Sequence, residues 1–334
     1  MPEKQRTHYI DIARGIAIIL VVIGHGISEY SLGFTGLEKV IYSFHMPLFF
    51  VISGLVFRIK DGETLGAFAK KRAKGLMLPY LLFAGLIFLS HLAEEMVLGA
   101  DSAFFKTLKT PSGILNTVLL TTKSVFSNLW FLPCMLAAQI ILFALLKYCK
   151  NKWLAAVLCT APALIIIFLS PKISLPLCLE TALVSVAFLY LGTVVKPIAE
   201  SKALPLLAIF TAGFAAARSI WVLCCDKAEF SYYNVQFGAP LLFIPLAICG
   251  SMAVIEFSAV AKKFSLLELL GRHSLYIFGF HYLVQNVLRI GIEKSGLALD
   301  GAVTLILTTI INLAICTVLS VLWGKVKAKI LKKG

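Results

Sequence analysis

The chain has 334 residues, of which 59% are hydrophobic and only 14% are charged, with a strongly positive mean hydropathy. A soluble domain of this size carries about a quarter of its residues charged, so a water-soluble globular fold is excluded. The 31 Lys and Arg outnumber the 17 Asp and Glu by 14, but they are spread over short segments, which argues against a nucleic-acid-binding face.

Apolar stretches of about 20 residues predict ten spans in chain order: 9–28, 40–57, 77–98, 128–148, 153–170, 174–195, 204–223, 237–256, 267–289 and 302–323. The segments between them, the longest being 58–76 and 99–127, are too short to bury a core. The expectation is an all-α polytopic transmembrane helix bundle, residues 1–334 forming a single integral membrane domain with no soluble domain. With the N-terminus inside, 20 of the 31 Lys and Arg fall on inner segments, including Lys4, Arg6, Arg58, Lys60, Lys70, Lys71, Arg72, Lys74, Lys332 and Lys333, against seven outside. Basic residues favour the cytoplasmic side, so both termini are expected in the cytoplasm and the protein in the inner, cytoplasmic membrane, with membrane lipid as a partner. Oligomeric state, including a homo-oligomer, stays open.

The first span reads YIDIARGIAIILVVIGH from Tyr9 to His25, with Glu29 just beyond. It is longer than a signal-peptide core, lacks a small-residue cleavage site and is expected to stay in the mature protein. Charges inside an apolar span are costly and mark function by default. Eleven steps of 100° leave Arg14 and His25 within about 20° on one face, roughly 16 Å apart along the axis, with Asp11 and Glu29 near the same stripe. In the second span His45 lies at roughly the same depth as His25, about 22 Å from the cytoplasmic boundary, and in the ninth span His281 lies at about 21 Å. Arg14 and Arg272 both lie within about 8 Å of that boundary. The polar side chains are therefore layered, with imidazoles in the outer half and guanidiniums in the inner half.

Imidazole moves protons near neutral pH, and Glu29, one helical turn beyond His25, is expected to orient it. Guanidinium forks suit phosphates arriving from the cytoplasm. Plainer readings compete: a histidine in a bundle can simply bond a backbone carbonyl, and Asp11 and Arg14 can pair at i, i+3. Ser53 before Gly54 lacks the first glycine of a nucleophile elbow and reads as a small residue for helix packing. The eight cysteines contain no CxxC pair and read as packing residues, and no metal site is expected.

Several segments taken together resemble the membrane-bound acyltransferase-3 family. They are Arg14 and His25 with ten residues between them, FHMPLFFVISG from Phe44 to Gly54, KRAKGLMLPY from Lys71 to Tyr80, LWFL from Leu129 to Leu132, and LGRHSLYIFGFH from Leu270 to His281. The FHMPLFF form is similar to the branch of sugar O-acetylases. The resemblance implies transfer of an acyl group, usually acetyl, from acetyl-CoA or another acyl-CoA to a hydroxyl of a carbohydrate or cell-envelope glycan. It further implies His25 as the catalytic base and Arg14 as a contact to the donor. Arg72, beside Lys71 where the family carries a pair of arginines, would lie near the coenzyme A phosphates.

Asp11 and Arg272 complete the donor side of this expectation. Trp130, Phe131, Ser53 and Tyr276 make up the acceptor side. His45 or Tyr276 would steady the oxyanion, and His281 joins the catalytic group. The loop 99–127 is expected to shape the acceptor entrance. Two rivals fit the composition equally: a transporter or flippase of a lipid-linked or small sugar, and a subunit of a polysaccharide export complex without chemistry of its own.

Overall fold

The computed structural model describes residues 8–98, 103–169, 174–199, 204–225, 230–232, 236–261, 263–296 and 300–331. Of the residues named above as topology signals, Lys4, Arg6, Lys332 and Lys333 lie outside these segments. The described residues hold ten helices of sixteen or more residues: α1 His8–Glu29, α2 Thr35–Leu55, α3 Leu65–Leu98, α4 Phe131–Tyr148, α5 Lys152–Leu169, α6 Leu179–Val194, α7 Leu204–Cys225, α8 Pro240–Val260, α9 Ser265–Ser295 and α10 Gly301–Leu331. Short helices Ala103–Leu108 and Pro111–Val118 occupy the long connection before α4. The strands described are two residues each, Phe230–Ser231 paired antiparallel with Gln236–Phe237. The all-α polytopic bundle expected from the sequence is what the chain forms.

Eight of the ten helices, all but α2 and α9, are long and apolar enough to cross a membrane. Those two are long enough but less apolar, because they carry Glu38, Lys39 and His45, and Glu268, Arg272, His273, His281, Gln285 and Arg289. Pro47 within α2 removes one amide donor from the helical ladder, a loss that neighbouring helices tolerate in a membrane. A left-handed Gly296 ends α9.

Two compact units can be distinguished. The first takes in Met1–Phe49, Ile198–Ser219 and Pro245–Gly334. Its central feature is the packing of α1 on α9. A Cβ on Gly15 would lie 2.1 Å from the carbonyl oxygen of Leu267, and one on Gly271 would lie 1.8 Å from the carbonyl oxygen of Asp11. The two backbones therefore touch directly, as small residues permit in lipid, where close packing replaces the hydrophobic drive. Further along, the side-chain amide of Gln285 donates to the Val22 carbonyl at 2.9 Å, and Arg289 reaches Glu29. Partners on α9 rise in number as those on α1 rise, so the helices run parallel. Near the C-terminal end of α1, Ile27, Ile41 and Leu305 form a buried cluster joining α1, α2 and α10.

The second unit comprises Phe50–Pro197 and Ile220–Ile244. Here the C-terminal turn of α2 meets α6 through a second glycine pair: a Cβ on Gly54 would stand 2.1 Å from the Leu189 oxygen, and one on Gly192 would stand 2.1 Å from the Val51 oxygen. An aromatic core surrounds Phe243, which is fully buried, with Phe237 at 4.3 Å and Tyr232 at 6.3 Å between ring centres.

Substituting Gly271 tests the backbone contact in the first unit. Gly271→Ala must push α1 and α9 apart, costing about 1–3 kcal/mol as overpacking does. Gly291→Ala, on the same helix with open space around it, is expected to leave stability unchanged. Thermal unfolding of the detergent-solubilised variants measures both.

Candidate active site

Three imidazoles from three helices meet in the first unit. The ring of His25 on α1 lies 5.1 Å from that of His281 on α9 and 6.4 Å from that of Tyr42 on α2, and Tyr42 lies 5.1 Å from His45. Depth along the spans had placed these histidines at one level, and the structure brings them into a single row with Tyr42 inside it. The glycine contact explains the register. His25 lies ten residues beyond Gly15 and His281 ten beyond Gly271, so parallel helices touching at the glycines carry both rings up by the same rise of about 15 Å.

The three imidazoles differ in what they have left to offer. His281 is 2% exposed, and its Nδ1 is 2.6 Å from the Phe278 carbonyl oxygen. His45 is 5% exposed, with Nδ1 2.8 Å from the Ile41 carbonyl oxygen. A carbonyl only accepts, so Nδ1 carries the proton in both rings, and in the neutral form Nε2 is a bare acceptor. The plain reading of a histidine bonded to backbone therefore holds for both. It also corrects the role foreseen for His45, which cannot donate to an oxyanion while neutral.

His25 makes no hydrogen bond among the described residues and keeps accessible surface, although protein atoms surround it densely. Neither of its ring nitrogens is committed to a hydrogen-bond partner among the described residues. Tyr42 adds a hydroxyl that is bonded to Ser28, which in turn donates to Glu38 at 2.5 Å. Behind the row, the fully buried Asn312 on α10 donates to the His281 carbonyl oxygen at 2.9 Å.

Glu29 does not orient His25 in this structure. Its carboxylate accepts from Arg289 Nε at 2.9 Å, and Arg289 also holds Glu293 at 2.9 Å and Asn286 at 2.7 Å. Toward the other end of α1, Asp11 is buried and lies 4.0 Å from Arg14, the expected i, i+3 pair. Arg272 is exposed on α9, near the ion pair of His8 with Glu268 at 2.9 Å. Tyr276 is half-buried, five residues and therefore about 140° around α9 from His281.

The remaining candidates belong to the second unit. Lys71 is exposed, 3.9 Å from Glu63, and the Arg72 guanidinium lies 5.0 Å above the Phe68 ring. Lys147 reaches the Glu63 carbonyl from the other side of the stacked Phe68 and Phe143 rings. Phe131 is buried against Phe50 at 5.3 Å and belongs to the aromatic core, while Trp130 is half-buried beside Tyr232 at 6.1 Å. Ser53 is half-buried next to the Gly54 contact. Among the described residues no group of three or more His, Cys, Asp or Glu is arranged to hold a metal ion, and Cys134, Cys149, Cys159, Cys178, Cys249 and Cys316 are free thiols.

Tyr42, Gln285 and Asn312 were not singled out from the sequence. Asn312 was the most visible of them, a lone amide in the apolar run TTIINLAIC, where a polar group needs a partner.

The sequence model of an acyltransferase domain matches residues 7–321. The chain belongs to the acyltransferase-3 family. Within the acyltransferase domain, the imidazole row, Arg14 and the basic segment around Arg72 all fall inside the matched residues. The chain is also similar to nodulation protein NolL of Sinorhizobium fredii (strain NBRC 101917 / NGR234), 31% identical over 173 residues. That similarity covers 48% of this chain and 42% of NolL, so the chain spans less than half the length of the curated relative it matches. No solved structure matches the chain.

The different accessibility of the three imidazoles can be read chemically. Brief treatment with diethyl pyrocarbonate is expected to carbethoxylate His25 well before His45 and His281, as followed by peptide mass spectrometry.

Proposed function

We propose that this integral membrane protein transfers an acyl group, acetyl by preference, from acyl-CoA to a hydroxyl of a carbohydrate or cell-envelope glycan, with His25 as general base. The observation that carries the reading is the state of His25: an unbonded, reachable imidazole at the meeting point of three helices in an acyltransferase domain. The acceptor class follows the likeness of the FHMPLFF segment, which includes His45, to sugar O-acetylases.

In this reading residues 1–334 act as one membrane domain with both termini in the cytoplasm, in the cytoplasmic membrane. The donor's thioester end lies near Arg14 and Asp11, on the same helix face as the reacting imidazole. Lys71 and Arg72, basic residues of a cytoplasmic segment, carry charges suited to the coenzyme A phosphates. His25 takes the proton of the acceptor hydroxyl as its oxygen attacks the thioester carbonyl. The carbon–sulfur bond breaks, and the proton passes from His25 to the departing thiolate, which leaves as coenzyme A thiol. No acyl-enzyme is required.

Radiolabelled acetyl-CoA tests the assignment on purified protein in detergent. A folded His25→Ala is expected to bind the donor normally and to lose about 10²–10⁴-fold in turnover, the usual contribution of a positioned base. Arg14→Ala is expected to weaken donor binding by about tenfold, as loss of a charge-assisted contact does. Failure of folded wild type to bind acetyl-CoA or longer acyl-CoAs saturably would remove the donor from the scheme and favour a sugar transporter.

A further inference from the structure

A base that takes a proton with one ring nitrogen must hold a proton on the other, and its efficiency depends on what fixes that tautomer. Glu29 is spent on Arg289, at 2.9 Å. Asp11 sits more than a full helical repeat away, beside Arg14. The ring contacts of His25 are to Tyr42 and His281. Tyr42 meets it edge-on at 63°, with its hydroxyl engaged by Ser28.

We propose that His281 is the positioning residue of His25: its Nε2 lone pair accepts the His25 N–H and leaves the opposite His25 nitrogen bare for the acceptor's proton. The inference rests on the reading of His25 as the base. The His281 N–H is consumed by the Phe278 carbonyl at 2.6 Å, so neutral His281 has an acceptor and no further donor to offer. With ring centres 5.1 Å apart, nitrogens turned toward each other would be separated by on the order of 3 Å, the span of an N–H···N bond. The terminal torsion of His25, about which its ring nitrogens turn, is broad for histidine. Such catalytic hydrogen bonds commonly tighten when substrate is in place.

His281 itself is held still. Asn312 grips its carbonyl at 2.9 Å, and Gln285, one turn further, ties α9 to the Val22 carbonyl at 2.9 Å. A ring supported in this way is suited to orient a neighbour. No proton is transferred to His281 in the cycle; the hydroxyl proton still passes through His25 to the thiolate.

The test compares single-turnover acyl transfer and donor binding in His281→Phe, which keeps a ring but has no lone pair, His281→Gln, which restores an acceptor, and Glu29→Gln. The expected result is a roughly 10–100-fold slower transfer in His281→Phe with donor Kd within about twofold of wild type, the range seen when an orienting partner is lost. His281→Gln should recover most of the rate, and Glu29→Gln should stay within about threefold. A folded His281→Phe at wild-type rate, or a Glu29→Gln as slow as His281→Phe, would overturn the assignment.

Because a bulkier ring at a buried site can misfold, imidazole ¹⁵N shifts of wild type provide a second measurement, with His25 assigned by its loss in His25→Ala. One fixed His25 tautomer supports the proposal, and shifts averaged over two tautomers refute it. Full activity in His25→Ala would instead refute the reading of His25 as the base, so the two failures are told apart.

Discussion

The direct contact of two backbones, Gly15 against Leu267 and Gly271 against Asp11, is the constraint on which the site depends. Inside a bilayer no hydrophobic drive pulls helices together, and closeness must come from van der Waals contact between surfaces without side chains. Once α1 and α9 are parallel and touching, geometry does the rest. Equal steps along both helices bring His25 and His281 to one level, and the Gln285 and Arg289 bonds to α1 fix the same register further out.

The site then sorts chemically similar residues into different roles. Backbone carbonyls hold His45 and His281 in one tautomer each, while His25 makes no hydrogen bond among the described residues. The distinction comes from local helix geometry: an Nδ1 that reaches back three or four residues finds a carbonyl, as at Phe278 and Ile41. Burial reinforces the difference, since the two bonded rings are closed off and the unbonded one is reachable.

Much of this was legible in the sequence. A 3.6-residue repeat and the cost of polar groups in lipid were enough to place three histidines of distant spans at one depth and Arg14 with Asp11 on one stripe. The apolar runs located all ten long helices. What could not be read was pairing. Glu29 is one turn from His25 and was a natural partner for it, but helix periodicity says nothing of Arg289, 260 residues away, which takes its carboxylate. Phe131, which the resemblance assigns to the acceptor side, packs against Phe50 in the aromatic core of the second unit, a contact no local pattern reveals. Tyr42, Gln285 and Asn312 are ordinary residues in apolar helices, and only the fold shows which atoms they face.

The separation of α1 from α9 along the chain carries a consequence for how the protein is made. The ion pair of His8 with Glu268 joins residues 260 positions apart, an interval that a ribosome working at about 5–20 residues per second takes roughly 13–50 s to cover. Throughout that delay His8 and Glu29 on α1 are without the α9 partners they hold in the fold. The pairing of Asp11 with Arg14 lies within a single helical turn, so those two charges can meet before α9 is made. Glu29 on the same helix, by contrast, depends on Arg289, 260 residues further along the chain.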